Sequence, residues 1–374
     1  MKNKTVDLFC NLVSIPSPSG KELDTGKYIK SYLNKINIAA YFDKTGKVNL
    51  SNSGNLIAKL KGNKGQPILL FVAHMDTVET GKEIIIPKIN KGTITSKGKT
   101  ILGADNKASV ACLLEALGAI STWDKHPTII ATFTTREERG KMGSSLLKFK
   151  EKIDYVFNLD GSDNPGDFVY QTLGEVPFEI KLTGKAAHAA VEPERGINAI
   201  KAAALFITKL NIGKDKKGNV LNIGKISGGR ANNIVPDEVV LEGQVRAYTK
   251  KDLDNNLINI EKTIKDVCNK TGCSYIFSKL PEEGAPPASI SKNHAIIHIA
   301  EHATKSLNLP FSLHKGSYTS DANFLNITYP TLTVCRGGKM PHSQYESITI
   351  RELMKLKRLI LELVKQSILI VKDK

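Results

Sequence analysis

Long apolar runs are absent from this chain. None approaches the ~20 residues that a membrane-spanning helix requires, so no membrane partner is expected. The N-terminal stretch, Met1-Lys2-Asn3-Lys4-Thr5-Val6-Asp7, is polar and lacks the continuous apolar core of a secretory signal. A soluble, cytoplasmic protein is the expectation. Cysteine is scarce. Its five residues (Cys10, Cys112, Cys268, Cys273 and Cys335) are odd in number, too scattered for a disulfide framework, and suited to a reducing compartment. Cys268 and Cys273 resemble half of a metal knuckle, but no second ligand pair lies near them. Arginine is also sparse, at only eight of the 53 basic residues. Phosphate and base recognition favours Arg forks gathered on one face. The net charge of +16 therefore reads as a lysine-rich solvated surface, and no nucleic-acid partner is expected. The surplus charge should still draw anionic substrates over a distance. Internal repeats and low-complexity tracts are missing too.

What remains is ordinary globular composition, 41% hydrophobic and 24% charged over 374 residues. That length holds two or three domains at about 100–200 residues each. Apolar spacing predicts helices over 6–13 and 22–36, separated by the breaker Ser14-Ile15-Pro16-Ser17-Pro18-Ser19-Gly20. Short strands follow at 56–60, 67–73 and 128–133. The last two are apolar on both faces, as in a helix-covered, mostly parallel sheet. A helix at 108–120 between them completes a βαβ unit. The middle changes character. Val176, Phe178, Ile180 and Leu182 alternate like a strand with one exposed face. Helices at 198–210 and 253–269 and strands at 222–226, 238–248 and 274–279 complete an α+β sandwich pattern, which the Pro/Gly-rich stretch 281–287 ends. The α/β pattern then returns, with a helix at 295–307, a strand at 331–334 and a long C-terminal helix. Thr349 and Glu352 are spaced as a capping box for that helix. The middle is thus an insertion within one α/β domain.

Five stretches gather imidazole and carboxylate groups at predicted strand ends: His74-Met75-Asp76-Thr77, Gly103-Ala104-Asp105-Asn106-Lys107, Arg136-Glu137-Glu138-Arg139-Gly140, Asn158-Leu159-Asp160-Gly161 and Met340-Pro341-His342-Ser343. Each has a plain alternative. A lone His is commonly a satisfied polar residue, adjacent acids are commonly a solvated face, and Asp105 could simply cap a helix. Their joint occurrence is what counts. Carboxyl ends of strands in an α/β sheet converge on one crevice, and this set suffices for two divalent metals sharing one carboxylate. Asp76, two residues from His74, could orient the imidazole.

These motifs, with Gly184-Lys185-Ala186-Ala187-His188-Ala189 and Gly196-Ile197-Asn198-Ala199-Ile200, resemble the dinuclear zinc peptidases that include peptidase T, carboxypeptidase G and succinyl-diaminopimelate desuccinylase. The peptidase T-like branch is the nearest in length and in the start of the helix after Asp105. The resemblance implies a mostly parallel-sheet catalytic domain from 1–172 and 284–374, with a lid and dimerisation domain at 173–283. It implies that His74 and Asp160 bind one metal, that Glu138 and His342 bind the other, and that Asp105 bridges both. Asp76 would orient His74, and Glu137 would be the general base. The Asp105–Asn106 peptide would be cis. His188 would reach the scissile carbonyl. Asn233, Arg246, Gly316, Asp321 and Asn323 would contact substrate. Two zinc ions, or cobalt or manganese, would serve hydrolysis of short peptides by a homodimeric aminopeptidase. An N-acyl amino acid deacylase or desuccinylase is the alternative within the resemblance, and a non-catalytic basic binding protein the alternative outside it.

Overall fold

The computed structural model describes residues 3–79, 84–140, 142–280 and 284–370. The chain divides into two compact units. One comprises Met1–Gln171, Ser289–Gly316 and Ser320–Lys374; the other comprises Thr172–Ala288 with Ser317–Thr319. Residue 283, where the insertion was expected to end, lies outside the described residues.

In chain order the first unit opens with α1 (Lys4–Val13), α2 (Leu23–Lys35), β1 (Ala40–Phe42), β2 (Leu56–Leu60) and β3 (Ile68–His74). It continues with β4 (Pro87–Asn90), β5 (Thr93–Ser96), α3 (Ala104–Ile120), β6 (Thr128–Thr134), α4 (Met142–Ser145), β7 (Tyr155–Gly161) and β8 (Asp167–Thr172). The second unit carries β9 (Gly174–Thr183), α5 (Ala199–Lys209), β10 (Gly213–Lys214), β11 (Val220–Gly228), β12 (Glu238–Ala247), α6 (Lys250–Thr271) and β13 (Ser274–Lys279). Then follow β14 (Ala288–Ser289), α7 (Ala295–Ser306), β15 (Ser312–Gly316), α8 (Asp321–Leu325), β16 (Thr331–Cys335), β17 (Ser347–Thr349) and α9 (Ile350–Ile370).

The main sheet runs β1-β2-β6-β3-β7-β16-β8-β14, with β15 paired to β8. Its centre is parallel, because β6, β3, β7 and β16 pair in one direction. Its flanks are antiparallel at β2 and β8. β3 reads as an uninterrupted apolar run because Leu69 through Ala73 are fully buried on both faces. α3 is buried nearly all round, through Val110, Ala111, Leu113, Leu114 and Leu117, so it carries little polar stripe. α9 covers the same core with Leu353, Leu356, Leu359, Ile360 and Leu363. Its capping box forms as the spacing predicts: Thr349 N–H donates to Glu352 Oε2 at 2.7 Å, and Glu352 N–H donates to Thr349 Oγ1 at 3.1 Å.

In the second unit an antiparallel sheet, β10-β11-β12-β9-β13, packs one face on α5 and α6. Phe178, Ile180 and Leu182 point into that core. Thr249 caps α6, and Gly272, at φ +78°, ends it in the left-handed conformation that spares glycine the Cβ penalty. A third, small sheet (β17-β5-β4) turns at Lys91-Gly92, both with positive φ.

Candidate active site

Four parallel neighbours end on one edge of the main sheet, and that edge carries the chemistry. β3 ends on His74. β6 ends on Thr134 and leads into Glu137 and Glu138, β7 carries Asp160 next to its last residue, and β16 leads into Arg336. Asp105 enters from the start of α3, where the Asp105–Asn106 peptide is cis. His342 lies in the loop between β16 and β17.

The geometry centres on the two oxygens of Asp105. Its Oδ1 lies 3.2 Å from His74 Nε2, and its Oδ2 lies 3.5 Å from His342 Nε2. His74 Nε2 is also 3.5 Å from Asp160 Oδ1, and His342 Nε2 is 3.0 Å from Glu138 Oε1. One imidazole and one carboxylate therefore face each oxygen of a shared carboxylate. Ligand atoms of His74, Asp105 and Glu138 fall within 4.8 Å of one another, as do those of His74, Glu137 and Asp160. Five carboxylates, counting Asp76, thus face two imidazoles and the Arg336 guanidinium. Two divalent ions would neutralise that surplus, and oxygen and imidazole donors suit them. The arrangement fits two metal ions.

Charge on these groups follows from the crowding. Burial opposes protonation of His74, yet the Asp160, Asp105 and Asp76 carboxylates outweigh it and raise its pKa well above the ordinary range. Hydrogen bonds that it donates to the Asp105 and Glu138 carboxylates push His342 up to about 10. Burial raises Glu138. Asp105 resists burial because Arg336, His342 and His74 hold it well below the usual carboxylate range.

Asp76 is a hub. Its backbone carbonyl lies 3.0 Å from His74 Nδ1 and its carboxylate 3.4 Å, which leaves Nε2 facing the cluster. The same carboxylate accepts the N–H groups of Glu137 and Glu138, each at 3.1 Å, and the Ser19 hydroxyl. The turn that aims both glutamates depends on Arg136 at φ +55°, whose N–H donates to buried Glu22 at 3.0 Å.

Sequence reasoning missed three supports. Arg336, buried, donates from Nη2 to Asp105 Oδ2 at 2.7 Å. Glu346 accepts the N–H groups of Leu102 (2.8 Å), Gly103 (2.7 Å) and Asp105 (3.0 Å), fixing the loop that delivers the shared carboxylate. Lys107, buried and brought down to about 7 by that burial, donates to Ser17 Oγ at 2.6 Å and to Thr25 Oγ1 at 3.0 Å. Only the rarity of Arg in this chain could have singled out Arg336.

Asp321 and Asn323, expected to contact substrate, are engaged within the protein itself. Both are buried at the start of α8. Asn323 Oδ1 accepts the Ser320 N–H at 2.8 Å in a capping box, and Asp321 accepts the Thr134 hydroxyl. Gly316, at the end of β15, is buried as well. In the second unit His188 and Asn233 are exposed. The His188 Nδ1 accepts the N–H groups of Ala190 and Val191 at 3.2 Å, which leaves the proton of a neutral ring on Nε2. Arg246 pairs with Glu175 Oε2 at 2.8 Å and reaches Gln244 at 3.3 and 3.4 Å.

Comparison with known proteins places this arrangement. A model of the peptidase dimerisation domain matches residues 172–272, and one of peptidase family M28 matches 55–207. The chain is 28% identical to the protein YqjE of Bacillus subtilis (strain 168), over 98% of this chain and 99% of that one. Two solved structures superpose with a TM-score of 0.92 at 28% identity, covering 97% of this chain and 98% of theirs: an aminopeptidase PepT from Bacillus cereus and a tripeptidase from Staphylococcus aureus. Fold and site together define a metallopeptidase with an inserted dimerisation-type domain. Within that class the chain is similar to the peptidase T-type enzymes, at 28% identity to the solved aminopeptidase PepT and tripeptidase.

Proposed function

We propose that this chain is a cytoplasmic aminopeptidase acting on short peptides, as a homodimer, with two zinc ions held by His74, Asp105, Glu138, Asp160 and His342. The observation that carries the reading is Asp105, whose two oxygens each meet a different imidazole. Bound there, two divalent ions would polarise the scissile carbonyl and bring the pKa of water toward neutrality. Glu137, buried and anchored through its backbone to Asp76, takes the proton of the attacking water and delivers it to the leaving amine. Asp76 keeps His74 in one orientation. His188 donates from Nε2 to the carbonyl oxygen as charge develops there. Asn233, Arg246 and the Gly316 loop hold the rest of the substrate. The match to a dimerisation domain over 172–272 supports pairing through the inserted unit. The likeness to an aminopeptidase and a tripeptidase supports peptides over N-acyl amino acids.

The test is a hydrolysis screen of di-, tri- and N-acyl peptides before and after chelation. Tripeptide cleavage should vanish on metal removal and return with zinc or cobalt. Full activity without metal would overturn the proposal. Cleavage of N-acyl amino acids alone would make the enzyme a deacylase.

A further inference from the structure

A second group of metal-ligand side chains lies in the first unit, and none of its members belongs to the cluster around Asp105. Asp163 follows β7, His314 lies in β15, and Cys335 is the last residue of β16. One ligand atom from each falls within 4.8 Å of the other two. His314 Nε2 and Asp163 Oδ2 are 2.9 Å apart, both partly open to solvent, whereas Cys335 is fully buried beneath them.

The backbone holds these donors in register. The Arg336 N–H donates to the Gly161 carbonyl at 2.7 Å, and the Gly337 N–H donates to the Asp163 carbonyl at 2.8 Å. The segments that follow β7 and β16 are therefore locked together just beyond the thiol. Gly161 is what admits the sulfur, because a Cβ there would stand 2.4 Å from Cys335 Sγ. Ser312 Oγ lies 3.5 Å from His314 Nδ1, the nitrogen left over when Nε2 faces inward.

From this juxtaposition we infer that Asp163, His314 and Cys335 form a further binding site for one divalent ion of the zinc class. An imidazole, a carboxylate and a thiolate select a borderline-soft ion over magnesium or calcium. Around a tetrahedral zinc, donors at about 2.0–2.3 Å from the metal stand roughly 3.3–3.8 Å apart. The observed spacings, 2.9 Å between His314 and Asp163 and at most 4.8 Å to the thiol, bracket that range. Without a cation, burial and the nearby Asp163 and Asp167 charges hold the Cys335 thiol protonated. Binding therefore breaks the S–H bond, releases that proton to water, and replaces the His314–Asp163 hydrogen bond with two metal bonds. The ion would tie β15, which leads the chain toward Ser317–Thr319, to the β7 and β16 ends.

The experiment titrates the metal-stripped full chain with cobalt(II) and reads the near-ultraviolet sulfur-to-cobalt absorption. The Asp105 cluster contains no sulfur, so it cannot produce that signal. A band saturating at one cobalt per chain is expected. It should be lost in Cys335→Ser and should need severalfold more cobalt in His314→Ala, whose half-exposed side chain is not required for the core. No sulfur band in the wild type, or a band unchanged in both variants, would overturn the inference and leave an ordinary His–Asp ion pair over a buried thiol. A sulfur band without two further sulfur-free cobalt ions would instead count against the Asp105 cluster as a dinuclear centre.

Discussion

A carboxylate shared by two metals would have to offer its oxygens in opposite directions, and the oxygens of Asp105 are set by neighbours far away in sequence. Glu346 grips the Asp105 N–H from 241 positions further on, and Arg336 binds Oδ2. Such partners leave no mark on local spacing, which is why His74, Glu138 and His342 could be picked out of their motifs while Arg336 and Glu346 could not. The two glutamates differ in what they touch. Glu138 touches His342, and a Glu137 oxygen lies within 4.8 Å of ligand atoms of His74 and Asp160. Glu137→Gln should lower kcat by orders of magnitude while the protein still retains two metals, measured by metal analysis beside steady-state kinetics. Loss of a metal in that variant would exchange the roles of the two glutamates. Asp321 gives a separate reading by pH. Burial lifts its carboxyl to about 6, above the ordinary range near 3.9. The folded protein then binds this proton more tightly than the unfolded chain, so stability is lost as pH rises from about 4 to about 6. Asp321→Asn should raise Tm at pH 8, and the gain should shrink as pH falls toward 4. A gain equal at both pH values would show that the charge is not its cause.

At the scale of elements, the strands that reasoning found were those with a strong burial signature. β3 and β6 are apolar on both faces, β9 alternates, and β13 was bounded at the same residues as observed. Missed strands were short or weakly patterned, such as β4, β5 and β17, whose order comes from pairing with one another. The antiparallel flanks were also illegible, since direction in a sheet depends on connections and not on composition. Yet the small sheet matters to the site. β17 begins directly after Glu346, so it carries the carboxylate that holds the 102–105 loop. Glu346→Gln removes one of the acceptor oxygens shared by Leu102, Gly103 and Asp105 and should cost about 1–3 kcal/mol by denaturant titration. It should also weaken metal retention, because the loop delivers Asp105. The α9 cap offers a control at the same scale. Thr349→Ala should cost about 1 kcal/mol with metal content unchanged. Equal metal loss in both variants would mean that Glu346 acts through global stability alone.

Over the whole molecule, the chain combines a strongly positive surface with a cluster that is locally negative. Such a surface should draw anionic substrates in, and salt should screen that attraction. Attraction alone does not set which peptides are cleaved, which requires an anchor at a fixed site. Arg246 has the planar fork for a terminal carboxylate, but in this structure Glu175 holds it at 2.8 Å, with Gln244 alongside. A substrate carboxylate must therefore displace Glu175 or share the guanidinium with it. If Arg246 is the anchor, its loss and the loss of its competitor should act in opposite directions. Amidating the C-terminus of a tripeptide should raise KM strongly in the wild type and little in Arg246→Ala. Glu175→Gln, which removes the competing negative charge, should lower KM for the free peptide and barely change it for the amide. Raising ionic strength should increase KM for free and amidated peptides unequally, with the larger rise for the free acid. Should Arg246→Ala discriminate acid from amide as sharply as the wild type does, the carboxylate is held elsewhere, and the Arg246–Glu175 pair serves only to brace β9 against β12.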